Sequence, residues 1–62
     1  MRPIRSVYRF QNGQVMVFDD EGNQVPRLQG HETKVLDKVK QQFKGVIVDA
    51  MWPDAPEGWV EK

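Results

Sequence analysis

Residues 4–19, IRSVYRFQNGQVMVFD, predict two β-strands joined by a tight turn. Valine, tyrosine and phenylalanine, which favour strands, lie on both sides of the dipeptide Asn12-Gly13. This dipeptide is the strongest short hairpin signal, because a type I′ turn needs positive φ at both of its central residues. With Asn12 and Gly13 at the centre of the turn, Gln11 is predicted to pair with Gln14.

This register assigns every strand side chain to one of two sheet faces, because successive side chains point to opposite sides. Tyr8 is then predicted to pair with Val17, and Val7 with Phe18. One face is almost wholly apolar and is the expected packing surface for a helix. Its members are Ile4, Tyr8, Phe10, Val15, Val17 and Val25. The opposite face carries Arg5, Val7, Arg9, Met16, Phe18 and Gln24.

A second hairpin loop and a short third strand are predicted to follow. Residues 19–23, DDEGN, are typical of a three-residue loop with Gly22 in the left-handed conformation. Gln24 and Val25 begin the predicted third strand. Pro26 ends it, because proline has no N–H to donate to a neighbouring strand.

One amphipathic helix is predicted from about residue 32 to residue 43, where apolar side chains recur at helical spacing. Lys44 and Gly45 predict the helix end, with Gly45 as a left-handed cap. Residues 46–52 predict a fourth strand. Its run of Val, Ile and Val indicates burial on both faces, either inside the sheet or under a partner.

The sequence therefore predicts a single α+β domain over residues 1–62. Its element order is β-β-β-α-β, with a three-stranded antiparallel meander and the helix packed on one sheet face. A right-handed crossover places the fourth strand beside the first, giving the sheet order 3-2-1-4. Pairing of that strand with another subunit stays open. Trp59 and Val60 form a brief fifth strand or dock on the sheet.

Composition excludes several classes of protein. The 62 residues contain no cysteine and one histidine, which excludes disulfides and disfavours a structural zinc site. Nine basic and nine acidic residues disfavour generic nucleic-acid binding, which needs a basic excess. No apolar run is long enough to cross a bilayer, and we expect a cytoplasmic protein. A domain this small favours self-association, so a homodimer is expected.

The second sheet face predicts an interface, since a solvated sheet face should be polar. Val7, Met16 and Phe18 form an apolar centre flanked by arginines, which is the composition of a protein–protein contact. The predicted partner-binding residues are Arg5, Val7, Arg9, Met16, Phe18 and Trp52. Alternatively, the two tryptophans and the C-terminal segment cover this face as ordinary core.

Catalysis is not expected. The sequence offers no nucleophile–base pair, no metal-ligand set and no cofactor motif, and His31 is expected to be a surface residue or to cap the helix N-terminus. Asp49 in the fourth strand needs a partner such as Arg5 or Arg9 if it is covered. A second hypothesis is a small-ligand or nucleotide site. It would use a dimer cleft in which Arg2, Arg5, Arg9, Tyr8 and the tryptophans hold an anion and a ring.

Segments of the first half resemble short proteins, without assigned activity, of bacterial, prophage and tailed-phage genomes. The segments are Ser6-Val7-Tyr8-Arg9, Val15-Met16-Val17-Phe18-Asp19, Gly22, Pro26 and Gln29-Gly30. The resemblance implies a bacterial or viral cytoplasmic protein. Small accessory phage proteins often inhibit host complexes, as anti-CRISPR and other anti-defence factors do. By this resemblance, the expected function is inhibition of a host protein complex.

Overall fold

A four-stranded mixed sheet and one helix make up the protein in a computed structural model, which describes residues 2–61. The elements are β1 (Ile4–Arg9), β2 (Gln14–Asp19), a 3-10 turn (Pro26–Leu28), β3 (Gly30–His31), α1 (Glu32–Gln42) and β4 (Ile47–Asp49). The strand order is β3-β2-β1-β4. β2 is antiparallel to both β1 and β3, whereas β4 is parallel to β1. The predicted α+β class with a single helix is confirmed.

The core lies between α1 and one face of the sheet. Val35 and Val39, one turn apart on α1, pack against the valines of β1 and β2 and against Leu28. The buried cluster consists of Val7, Val15, Val17, Leu28, Val35 and Val39. Each of these side chains stabilises the fold by about 1.5–3 kcal/mol through its removal from water.

The first hairpin has a three-residue loop, so the predicted register of β1 is wrong. The N–H of Gly13 donates to the carbonyl of Phe10 at 2.9 Å, and the N–H of Phe10 donates to the carbonyl of Gln14 at 2.9 Å. Gly13 has φ of +91°, but Asn12 does not adopt positive φ. A type I′ turn needs positive φ at both residues, and the observed loop needs it at only one.

The longer loop moves most of the β1 side chains to the sheet face opposite the predicted one. Val7 pairs with Val17, and Tyr8 pairs with Met16. Val7 therefore lies in the core under α1, whereas Tyr8 lies on the open face. The β2 side chains keep their predicted faces. A register irregularity between Ile4 and Ser6 lets Ile4 pack against the core as well.

The predicted third strand is also misplaced. Gln24 forms only an isolated bridge with Phe18, and the third strand of the sheet is the later segment Gly30–His31. Pro26 starts a 3-10 turn directly after the bridge, so the chain leaves the sheet edge. The loop before it is as predicted: Gly22 has φ of +82°, and the N–H of Asp19 donates to the carbonyl of Asn23 at 2.9 Å.

The end of α1 and the placement of β4 differ from the predictions. The helix ends at Gln42 with Phe43 as its C-cap in extended conformation, and Gly45 does not adopt positive φ. A β-carbon on Gly45 would lie 2.5 Å from Cζ of Phe43, so the close approach of this ring requires glycine. β4 is an edge strand whose residue Val48 is 45% exposed, so the predicted burial on both faces is wrong for this chain alone.

Candidate functional site: an apolar groove on the open sheet face

An open groove of about 420 Å³ lies on the sheet face opposite α1. Phe10 and Met16 form its floor and are 5% and 6% exposed. The lining residues are Tyr8, Phe10, Met16, Phe18, Val48, Ala50, Trp52 and Pro56. We call this set the groove. Its lining carries no charged side chain, and Tyr8 supplies the one side-chain hydroxyl.

Aromatic contacts shape both sides of the groove. The rings of Tyr8 and Phe18 meet edge to face, with centroids 5.9 Å apart and planes at 80°. On the other side, the Trp52 ring stacks on Phe10 with centroids 6.4 Å apart and planes at 12°. Trp52 remains 60% exposed in spite of this stacking. The groove therefore ends in an aromatic surface that is open to solvent.

The backbone after β4 holds Trp52 over Phe10. The N–H of Ala50 donates to the carbonyl of Arg9 at 2.8 Å, which continues the parallel pairing beyond β4. The N–H of Gln11 in the hairpin loop then donates to the carbonyl of Trp52 at 3.2 Å. The position of the indole is thus set by main-chain bonds to the first hairpin.

A buried glutamine replaces strand pairing along the outer edge of β2. Gln29 is 3% exposed, and its side-chain oxygen accepts the N–H of Val17 at 3.0 Å. Because Val17 supplies a donor, the atom of Gln29 that faces it must be the oxygen. The side-chain NH₂ of Gln29 donates to Oε1 of Gln24 at 3.0 Å and to the carbonyl of Val60.

The same network docks the C-terminal segment. The N–H of Val60 donates to Oε1 of Gln24 at 3.0 Å, and the side chain of Gln24 donates to the carbonyl of Gly58 at 2.8 Å. The indole N–H of Trp59 donates to the carbonyl of Val15 at 3.2 Å. Trp59 and Val60 therefore dock on the β2 edge and form no strand. Trp59 is not among the groove residues.

Two arginines near the sheet, Arg2 and Arg9, pair with carboxylates away from the groove. Arg9 lies opposite Val15 on the helix side of the sheet. Its Nη2 lies 2.7 Å from Oδ1 of Asp49, and Arg9 is one of the two partners that the sequence suggested for this carboxylate. It also lies 3.7 Å from Glu32 of α1. Arg2 pairs with the acidic loop through Asp20 at 2.8 Å. Within the single chain, no arginine of residues 2–61 lines the groove. The ligand cleft between two subunits stays a prediction.

The predicted partner-binding residues fall into two groups. Met16, Phe18 and Trp52 line the groove together. The other three do not line it. Val7 is fully buried under α1, Arg9 is on the helix side, and Arg5 is exposed in the irregular part of β1.

Five groove residues are absent from the predicted partner-binding set, although the ligand hypothesis includes Tyr8. They are Tyr8, Phe10, Val48, Ala50 and Pro56. The predicted register had assigned Tyr8 and Phe10 to the helix side. Placing only Gly13 at positive φ, within a three-residue loop, would have assigned both of them correctly.

His31 is the N-cap of α1, as expected, because its Nδ1 accepts the N–H of Thr33 at 3.2 Å. Across residues 2–61, no group of three or more His, Cys, Asp or Glu side chains could hold a metal ion. In the same span, no helix is long and apolar enough to cross a membrane.

Comparison with protein-family models, curated proteins and solved structures finds no match to this chain. The resemblance to phage and prophage proteins therefore stays a prediction.

Proposed function

We propose that this protein is a small protein-interaction module whose groove receives an apolar side chain of a protein partner. The observation that carries the proposal is the open groove itself. Two floor residues are buried, and a half-exposed aromatic and aliphatic rim surrounds them. Interfaces are enriched in aromatic residues and methionine, and their strongest contacts are apolar anchors that fill such pockets.

The outer edge of β4 supports the same proposal. In a parallel pair, alternate residues direct their N–H and C=O groups to the neighbouring strand. Because the N–H of Ala50 bonds Arg9, the main-chain groups of Ile47 and Asp49 point away from β1. An edge of this kind can accept an extended segment of another chain, whose alternate side chains then enter adjacent pockets.

Phe18→Asp is expected to abolish capture of the partner from a bacterial lysate. The carboxylate would stand in the apolar groove without a counter-charge, and the edge-to-face contact with Tyr8 would be lost. Val60→Asp is the matched control, because it introduces the same charge at a site away from the groove. Val60 is 49% exposed and lies at the sheet edge opposite β4. Capture is measured by mass spectrometry of proteins retained by each tagged variant.

Trp52→Ala provides a second variant that should fold normally, since the indole is 60% exposed. We expect the affinity for the partner to fall at least about tenfold, which is the loss commonly measured when an interface tryptophan is truncated to alanine. Circular dichroism of both variants separates lost binding from lost folding. A partner retained equally by wild type, Trp52→Ala and folded Phe18→Asp would disprove the proposed site.

Self-association is the second candidate, and the exposed valines in β4 and directly before it favour it. Val46 is 82% exposed, and Val48 is 45% exposed. Neither lysine nor proline, which commonly protect edge strands, occurs in residues 46–52. If two copies pair through this edge, sedimentation should give twice the mass of 7.2 kDa. Val48→Lys should then restore the monomer, and a monomeric wild type would reject the homodimer.

For the biological setting we propose inhibition of a host protein complex, as the resemblance to phage-type proteins implies. Occupation of the groove by the host protein would be the inhibitory contact. This setting rests on the resemblance, whereas the interaction site rests on the groove and the β4 edge.

A further inference from the structure

We propose that the partner segment is extended and basic: it adds to the outer edge of β4, places one aromatic or aliphatic side chain in the groove, and sets Lys or Arg beside Asp54 and Glu57. The inference rests on the proposed function and names the chemistry of the occupant. Its basis is the distribution of charge around an otherwise uncharged groove.

The segment that borders the groove has an excess of acidic residues, and Lys62, the last residue of the sequence, follows it. Residues 46–61 contain four acidic residues and no basic residue, although the whole chain has zero net charge. Asp49 is compensated by Arg9. Within residues 2–61, no basic side chain forms an ion pair with Asp54 or Glu57.

These two carboxylates lie next to the groove along the chain. Asp54 lies midway between Trp52 and Pro56, both of which line the groove, and Glu57 directly follows Pro56. Both acidic residues are exposed. Complementary charge at the rim of an apolar contact guides association and selects the partner, so a basic segment fits and an acidic one is repelled.

The same charges disfavour a second copy as the groove's occupant. A second copy that inserted its own residues 46–61 would bring further carboxylates and no basic side chain to this rim, and like charges across an interface are unfavourable. A heterologous basic segment meets no such repulsion. Its main chain can use the outward-pointing groups of Ile47 and Asp49, while alternate side chains point to the groove side.

Peptide selection tests the inference directly. A random twelve-residue peptide library is selected on the wild type and counter-selected on folded Trp52→Ala. We expect enriched peptides with net positive charge, an alternating pattern and one aromatic or large aliphatic anchor. Enrichment of neutral or acidic sequences, or of none that depends on Trp52, overturns the inference.

Charge reversal separates this inference from the proposed function. In Asp54→Lys/Glu57→Lys, the affinity for the selected basic peptides should fall about tenfold, the combined effect of two exposed ion pairs. Raising the salt concentration should weaken wild-type binding to a similar extent. Glu21→Lys, in the distant acidic loop, is the single-site control and should leave affinity unchanged.

Three outcomes distinguish the possibilities. If charge reversal leaves affinity unchanged while Trp52→Ala abolishes it, the groove binds a partner but the basic chemistry is wrong. If neither variant changes binding, both proposals fail. If the wild type is a dimer that Val48→Lys dissociates, a second copy occupies the β4 edge and the basic-segment inference is overturned.

Discussion

Gln29→Leu is expected to lower the free energy of unfolding by about 1–3 kcal/mol, the cost of leaving a buried hydrogen-bonding group without a partner. The group in question is the N–H of Val17, a residue that is 0% exposed and has no other acceptor at this edge in residues 2–61. A domain of 62 residues has a total stability of only about 3–9 kcal/mol. The midpoint of thermal unfolding should therefore fall by about 5–20 °C.

Gln29→Glu separates the two halves of this interaction. A carboxylate can still accept the N–H of Val17, but it cannot donate to Gln24 or to the carbonyl of Val60. We expect this variant to keep the hydrogen-exchange protection of the Val17 amide while the segment around Val60 becomes less protected. In Gln29→Leu, the protection of both should decrease.

Gln41→Leu is the matched control for these variants. Gln41 lies on the exposed side of α1 and takes no part in the Gln24–Gln29 network, so its replacement should change stability by no more than about 0.5 kcal/mol. Chemical denaturation measures all three variants. Equal stability of Gln29→Leu and Gln41→Leu would show that Gln29 does not support the β2 edge.

Local features of the fold could be predicted from the sequence because their causes are local. The 3.6-residue periodicity placed α1, and strand alternation assigned β2 correctly, so Met16 and Phe18 were placed on the open face. The conformation of the acidic loop is predicted by residues 19–23, with Gly22 at positive φ. These predictions need only a few neighbouring residues, and tertiary packing agrees with them.

The errors arise where distant residues decide the structure. No sequence pattern indicates that the side chain of Gln29 will accept the N–H of Val17. Nor does any pattern indicate that Gly30 and His31 will form the third strand, while Gln24 and Val25 make only a bridge and one main-chain bond to β2. Likewise, the position of Trp52 depends on main-chain bonds to a loop some forty residues earlier.

The first hairpin turn had the largest consequence for the site. An Asn-Gly pair is compatible with both a two-residue and a three-residue loop, and these loops differ by one residue in register. In the observed loop, the side chain of Asn12 accepts the N–H of Gln14 at 2.9 Å while its own φ stays negative. The three-residue loop therefore places Tyr8 and Phe10 in the groove and Val7 in the core.

Gly13→Ala is accordingly expected to destabilise the protein by about 2–5 kcal/mol, for two reasons that add. The left-handed conformation costs a residue with a β-carbon about 1–2 kcal/mol, and Gly13 has φ of +91°. In addition, the new β-carbon would lie 2.5 Å from Nε2 of His31. Such overpacking costs about 1–3 kcal/mol.

Gly22 offers an internal control, because the two hairpin loops have the same hydrogen-bond pattern. Gly22 has φ of +82°, but a β-carbon there meets nothing within 4 Å. Gly22→Ala should therefore cost only the conformational part, about 1–2 kcal/mol. The difference between the two variants, measured by chemical denaturation, isolates the contact between the first loop and the start of α1.

A double variant tests that assignment. His31→Ala removes the ring that a β-carbon on Gly13 would strike, although it also removes the N-cap of α1. In the His31→Ala background, the cost of Gly13→Ala should fall towards the conformational part of about 1–2 kcal/mol, and Oε2 of Glu32, 3.0 Å from the new β-carbon, is the close contact that remains. Equal costs for Gly13→Ala and Gly22→Ala in the wild-type background would mean that the His31 ring moves away from the new β-carbon without a measurable loss of stability. The His31 ring would then add nothing to the cost, and the hydrogen bond from the N–H of Glu32 to the carbonyl of Gly13 at 2.7 Å would remain as the link between the first loop and the helix N-terminus.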